Sequence, residues 1–208
     1  MSLEESSATG LPEKTNLSPF MALKAIIHKA TVNVSDLDRN LYSDHTLTLA
    51  RHPSETEERM LLRLIAYVLN APPNRDHGAL EFAKDMWEPD EPALWQKDLT
   101  GLLMHEIELG LPEEKRLVRA CGRAKKVTVY TYSNTSATWW SSVSAKLARV
   151  RNLTVWQLPA DQVQALGTLA DKTMELQLTL QEGTWWLTSG DQSAELTPTC
   201  LFGDPLGG

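Results

Sequence analysis

The chain has 208 residues, 42% of them hydrophobic, which is enough for one sizeable domain and does not demand two. Its formal net charge of −7 argues against a general, tight DNA binder, because such proteins carry an excess of Lys and Arg. No run of roughly 18 apolar residues occurs, so no membrane span is expected. Cys121 and Cys200 are the two cysteines, far apart and outside any CxxC pattern, which excludes a disulfide framework or a Cys-based zinc site and fits a reducing cytosol.

The opening MSLEESSATGLPEKTNLSPF has neither the apolar centre of a signal peptide nor the arginines of a transit peptide. Residues 1–20 read as a disordered extension or an appended segment, residues 21–200 as a single domain, and residues 201–208 as a frayed tail. ALKAIIHKATVNVSD and LYSDHTLTLARH alternate on either side of the polar DLDRN, which predicts an antiparallel hairpin. PSETEERMLLRLIAYVLNAPP predicts a helix, with Ser54 as N-cap, Glu57 completing a capping box, and Asn70, Pro72 and Pro73 ending it. Leu61, Leu64, Ile65, Val68 and Leu69 form its apolar stripe. Glu58 falls within the arc of Leu61, Leu62, Ile65 and Leu69, so it is expected to point at the core.

A turn near Leu99–Gly101 then leads into the strand LLMHEIELG, where Glu106 and Glu108 share one face. LPEEKRLVRACGRAKK is read as a helix with Leu117, Ala120, Cys121 and Ala124 inward, and Arg116, Arg119 and Arg123 as a basic ridge. VTVYTY is a strand, SATWWSSVSAKLARV an amphipathic helix, NLTVWQL a strand and PADQVQALGTLAD a short helix. TMELQLTL, TWWLTS and SAELTP form a closing meander. The sum is a single α/β domain, a mixed β-sheet core flanked by helices.

Several acids have no local explanation: Glu58 on the helix, Asp90 and Glu91 before Pro92, and Glu106 and Glu108 on the strand. Folding back at Leu99–Gly101 brings Asp90 or Glu91 near Glu108. Converging carboxylates suit Mg²⁺ or Mn²⁺, which take oxygen ligands and can activate water against phosphorus. The arginine ridge could receive phosphates. The plain alternatives are a solvated strand face, a dipole-favoured acid, a turn and a solvated helix face. The histidines show no HExxH-like spacing, and no GxSxG, GxGxxG or P-loop pattern occurs.

MALKAIIHKATVNVSDLDRN, LTLARHPSETEERMLLRLIAY, DEPALW, IELGLPEEKR, RACGRA, TWW and NLTVW, in this order and spacing, resemble the YaeQ family of small acidic bacterial proteins, from Met21 to about residue 190. The resemblance implies a variant of the PD-(D/E)xK, or restriction-endonuclease-like, fold with extra antiparallel strands. It implies Glu58 as the helix acid, Asp90 or Glu91 as the first strand acid and Glu108 as the second, with Glu106 as its solvent-side neighbour. The E-x-K lysine is replaced by Gly110, and Arg119 stands where the family's helix lysine is expected; arginine holds phosphate but activates water poorly.

The resulting expectation is a cytosolic, metal-dependent phosphodiesterase or nuclease. Glu58, Asp90 and Glu108 would hold Mg²⁺ or Mn²⁺, Glu91 and Arg119 would join the catalytic set, and Arg116, Arg119 and Arg123 would bind phosphate. The alternative is a catalytically silent relative that binds a protein or nucleic-acid partner. No membrane partner is expected, and the oligomeric state is left open.

Overall fold

Alternating apolar residues set the first two strands. β1 (Ile26–Asp36) and β2 (Leu41–Arg51) pair antiparallel from Asp36↔Leu41 to Ile26↔Arg51, as the hairpin pattern predicts, burying Ala30, Val32, Val34, Leu47 and Leu49. The computed structural model describes residues 24–204, so the expected extension over residues 1–20 and the last four residues of the tail lie outside the described residues.

The strand pairs separate into two mixed sheets. In the first, the antiparallel run of β10 (Gln192–Leu196), β9 (Thr184–Ser189) and β8 (Thr173–Gln181) continues into β1 and β2, with β8 parallel to β1. The second runs β11 (Thr199–Phe202), β7 (Leu153–Gln157), β6 (Lys126–Thr131), β5 (Leu103–Leu109), β4 (Leu94–Lys97) and β3 (Leu80–Phe82). Its middle strands β5, β6 and β7 are parallel. β11 pairs with β7, and Leu201 and Phe202 pack on the core, so the first residues of the expected frayed tail belong to the sheet.

The helix α1 (Glu57–Asn70) is apolar around most of its girth: Met60, Leu61, Leu62, Leu64 and Ile65 are fully buried. One core joins these side chains to β1, β2 and β8 of the first sheet and to Leu94, Ile107 and Tyr130 of the second. Each such side chain contributes roughly 1.5–3 kcal/mol of burial, so packing between the sheets outweighs intrinsic propensity in fixing α1. Its start differs from expectation. Glu55 N bonds His52 O at 2.8 Å, a turn that carries Glu55 inward. The helix therefore begins after Thr56, whose hydroxyl accepts from Arg59 N at 3.4 Å, and Ser54 is not the cap.

A second core lies on the opposite face of the second sheet, where α2 (Glu114–Arg123) and α3 (Ser136–Leu147) cover Val127, Val129, Leu153 and Val155. Leu117, Ala120, Val143 and Leu147 supply the helix side, as the periodicity predicts, with Trp139 and Trp140 packed against them. α4 (Ala160–Leu166) runs into a 3₁₀ turn, Gly167–Leu169, and packs against α1. The middle of the second sheet is thus buried on both faces, the usual state of parallel strands. Among the described residues no helix is long and apolar enough to cross a membrane.

Candidate functional site: an acid–arginine cleft

The register of β5 against β6 decides the fate of its two glutamates. Glu106 lies beside Val127 and Glu108 beside Val129, and side chains of registered neighbours share a face. That face is the one α2 covers. Glu106 is therefore 0% exposed and Glu108 4% exposed, which removes the alternative of a solvated strand face and corrects the reading of Glu106 as the solvent-side neighbour.

Two buried carboxylates side by side require cations, and α2 supplies them from its ridge. Arg123 donates from Nε to Glu106 Oε2 at 2.8 Å and from Nη2 to Glu106 Oε1 at 2.7 Å, a two-point pair. Arg116 donates from Nε to Glu108 Oε1 at 2.6 Å. Arg116 and Arg123 of the ridge are thus ion-pair partners for β5, while Arg119 stays exposed and meets Asp90. Burial pushes the Glu108 carboxyl above its usual range, opposed by Arg116 and aided by the charges of Glu106 and Asp85. The hydrogen bonds to Glu106 hold Arg123 above its ordinary value against burial.

Arg116 does more than neutralise Glu108. Its Nη1 donates to Pro89 O and its Nη2 to Glu91 O at 2.7 Å, so one guanidinium ties the segment before β4 to the end of β5. A cleft of about 780 Å³ opens there, lined by Asp85, Asp90, Glu91, Glu108, Arg116 and Arg119 among others. The fold-back of β4 on β5, with Leu94 opposite Ile107, brings Asp90 and Glu91 to Glu108's cleft as expected. Asp90 is the loosest member: its side chain is 92% exposed and meets Arg119 at 3.2 Å. The Glu91 carboxylate accepts from Lys84 N at 2.9 Å.

Glu58 is not brought to this cleft. Half-buried, it packs beside Gly167, whose Cβ position lies 3.5 Å from Glu58 Oε2. The acid at the start of α1 that enters the interior is Glu55, 3% exposed. Its Oε1 lies 2.7 Å from Arg59 Nη1 and its Oε2 2.8 Å from Arg63 Nη2. Arg59 continues to Asp85, donating from Nη2 to Oδ1 at 3.0 Å, so the chain of charges runs from α1 to the cleft. Asp85 Oδ2 lies 2.8 Å from Arg59 Nη1, yet has no aligned donor; that contact is electrostatic only. Sequence reasoning missed Glu55 and Asp85. The four-residue spacing of Glu55, Arg59 and Arg63 was a usable signal for the first; nothing in the local pattern marks Asp85.

The expected Mg²⁺ or Mn²⁺ is tested by this donor set, and the fit fails as arranged. A single guanidinium takes Glu108 Oε1 and the carbonyls of Pro89 and Glu91, Asp90 stands out in solvent, and Glu58 is elsewhere. Among the described residues no three His, Cys, Asp or Glu side chains come together as a metal ion would need. Gly110, at the E-x-K lysine position, has φ +94° as β5 ends, a conformation that disfavours any side-chain-bearing residue there.

Fold and cleft together define a single-domain α/β protein of two mixed sheets with arginine-compensated acids at a sheet end. The family model described as "YaeQ protein" matches residues 21–198. Proteins described as uncharacterized YaeQ from Escherichia coli K12 and Salmonella typhi are each 45% identical over 181 residues, covering 86% of this chain and 97% of theirs. The crystal structure of YaeQ protein from Xanthomonas axonopodis pv. citri aligns with TM-score 0.81 and 37% identity, over 86% of this chain and 99% of that one. That of YaeQ protein from Pseudomonas syringae aligns with TM-score 0.77 and 31% identity, over 86% and 97%. The chain belongs to the YaeQ family.

Proposed function

We propose that the chain is a catalytically silent protein with a nuclease-like core, acting by binding a protein partner at the acid–arginine cleft. The observation that carries this reading is Arg116. Its guanidinium occupies, on Glu108 and two backbone carbonyls, the oxygen donors that a catalytic Mg²⁺ or Mn²⁺ would take. Two further features support binding over phosphodiester hydrolysis: Gly110 at the motif-lysine position and an arginine, Arg119, in place of the helix lysine.

The choice of a protein over nucleic acid rests on charge and rim. Five acids (Asp85, Asp90, Glu91, Glu108 and Glu113) face three cations (Lys115, Arg116 and Arg119) around the cleft, the wrong balance for a phosphate backbone. Met86 and Leu111, 36% and 37% exposed, also line it, and apolar groups among charges are what a protein partner buries. The test is incubation of the chain with labelled RNA and DNA in Mg²⁺ or Mn²⁺, reading cleavage and retention together, beside Glu108→Gln. Neither cleavage nor retention is expected. Cleavage lost in the variant would establish the metal-dependent nuclease instead, and salt-sensitive retention lost in Arg119→Ala would make nucleic acid the partner.

A further inference from the structure

A second cavity, of about 300 Å³, lies on the other face of the second sheet, where β6 and β7 meet the end of α1 and the first sheet. Its volume is that of a small-ligand site. The cleft and its charges belong to the α2 side, so this cavity is independent of the proposed function.

Its wall is aromatic. Trp156 of β7 is half-buried, and Trp185 of β9 backs it at 6.1 Å between ring centroids, tilted by 58°. Tyr130 of β6 braces Trp185 in turn at 6.3 Å. A braced, accessible indole beside a cavity is a stacking surface for a flat ring.

Beside that wall stands a matched polar pair. The two amide hydrogens of Asn70 are used on Ala66 O and on Tyr130 Oη, each at 2.8 Å. Asn70 therefore presents its carbonyl oxygen as an acceptor, while Tyr130, having accepted, retains its own hydrogen to donate. Burial pushes the Tyr130 phenol up to about 12, so the donor persists at any ordinary pH. A donor next to an acceptor reads the complementary edge of a ring carrying an N–H beside an acceptor atom, and two such bonds fix its orientation. Thr128 adds a third polar side chain, set by its 2.8 Å bond to His105 Nε2.

We propose that this cavity binds a flat heterocycle of nucleobase or nucleoside size, its ring against Trp156 and its donor–acceptor edge on Tyr130 and Asn70. At the rim, Arg39 is held by Asp36 through Nε at 2.6 Å, and Lys126 and Asp204 carry opposite charges. With Asp38 also on the lining, the rim carries three acids against two cations, and a free nucleoside suits it better than a multiply charged nucleotide.

The experiment is calorimetric titration of the full chain with uridine and adenosine, and with 3-methyluridine, whose ring donor is blocked. Saturable 1:1 binding of at least one nucleoside is expected. Where that nucleoside is uridine, 3-methyluridine should bind about tenfold more weakly. Tyr130→Phe, which preserves the ring, should weaken binding about tenfold. Trp156→Leu should abolish it, and Arg119→Ala in the distant cleft should leave it unchanged. Thermal melts confirm that each variant folds, and Trp156→Met, which also removes the aromatic face, replaces Trp156→Leu if the latter does not. The proposal is overturned if neither nucleoside binds, if binding survives both Tyr130→Phe and the Trp156 change, or if it is lost in Arg119→Ala.

Discussion

Replacing Arg123 by methionine would leave Glu106 as a buried charge with no partner. Glu106 is 0% exposed and both its oxygens are bonded to Arg123, at 2.8 and 2.7 Å. Stranding one member of a buried pair costs about 3–5 kcal/mol. The Arg123 side chain is 35% exposed, so water at that end screens part of the charge and places the loss near the lower limit, about 3 kcal/mol. For a chain of this size that is a fall in Tm of roughly 6–12 °C. Urea denaturation at pH 7 gives the number directly, provided the slope stays that of the parent. Removing the stranded charge as well, in Glu106→Leu/Arg123→Met, should recover the parent stability to within about 1 kcal/mol, because a packed apolar pair replaces a buried ion pair at little cost. An Arg123→Met variant within about 0.5 kcal/mol of the parent, the range of ordinary surface changes, would refute the claim that burial of β5 under α2 makes the arginine necessary.

Three other outcomes follow from the same structure. Glu55→Gln should cost about 3 kcal/mol, since it removes the carboxylate that lies between Arg59 and the 4% exposed Arg63; equilibrium unfolding at neutral pH measures it. Burial, with Lys126, lowers the His105 pKa to about 3 from 6.5, so the folded state binds fewer protons than the unfolded chain between those values. That stability is complete above pH 6.5 and is lost as pH falls toward 3, up to about 5 kcal/mol; a pH series of denaturation curves should flatten in His105→Gln. Gly78→Ala and Gly101→Ala both place a side chain at positive φ, at +84° and +85°, which costs about 1–2 kcal/mol. Only at Gly78 does the new Cβ meet backbone, 1.8 Å from Lys97 O, so thermal melts should rank its loss well above that of Gly101→Ala.

The sequence made the local elements legible and concealed how they stack. Alternation reveals the β1–β2 hairpin and helical periodicity reveals α1, α2 and α3, because each pattern is set by the element's own buried face. The pairing of β8 with β1 joins opposite ends of the domain, and no local pattern carries it; neither do the short strands β3 and β11. Glu106 read as the solvent-side neighbour of Glu108 because alternation reports which residues share a face, not whether a helix covers it. The covering helix was visible, and so was its arginine ridge. Two acids spaced i, i+2 on a strand followed by arginines at i and i+7 on the next helix were the signal of buried ion pairs. Glu58 misled because its helical angle was reckoned from the stripe alone, while the inward turn before Thr56 gave the interior position to Glu55.

Arg116 serves as the cleft's built-in cation. Calorimetric titration of Mn²⁺ into the parent protein and into Arg116→Ala, side by side, tests this role most directly. No saturable uptake is expected by the parent, and a weak site should be gained in the variant, where Glu108 and the carbonyls of Pro89 and Glu91 lose their guanidinium partner. Mn²⁺ binding to the parent as tight as to Arg116→Ala would contradict this role and return the cleft to metal-dependent chemistry.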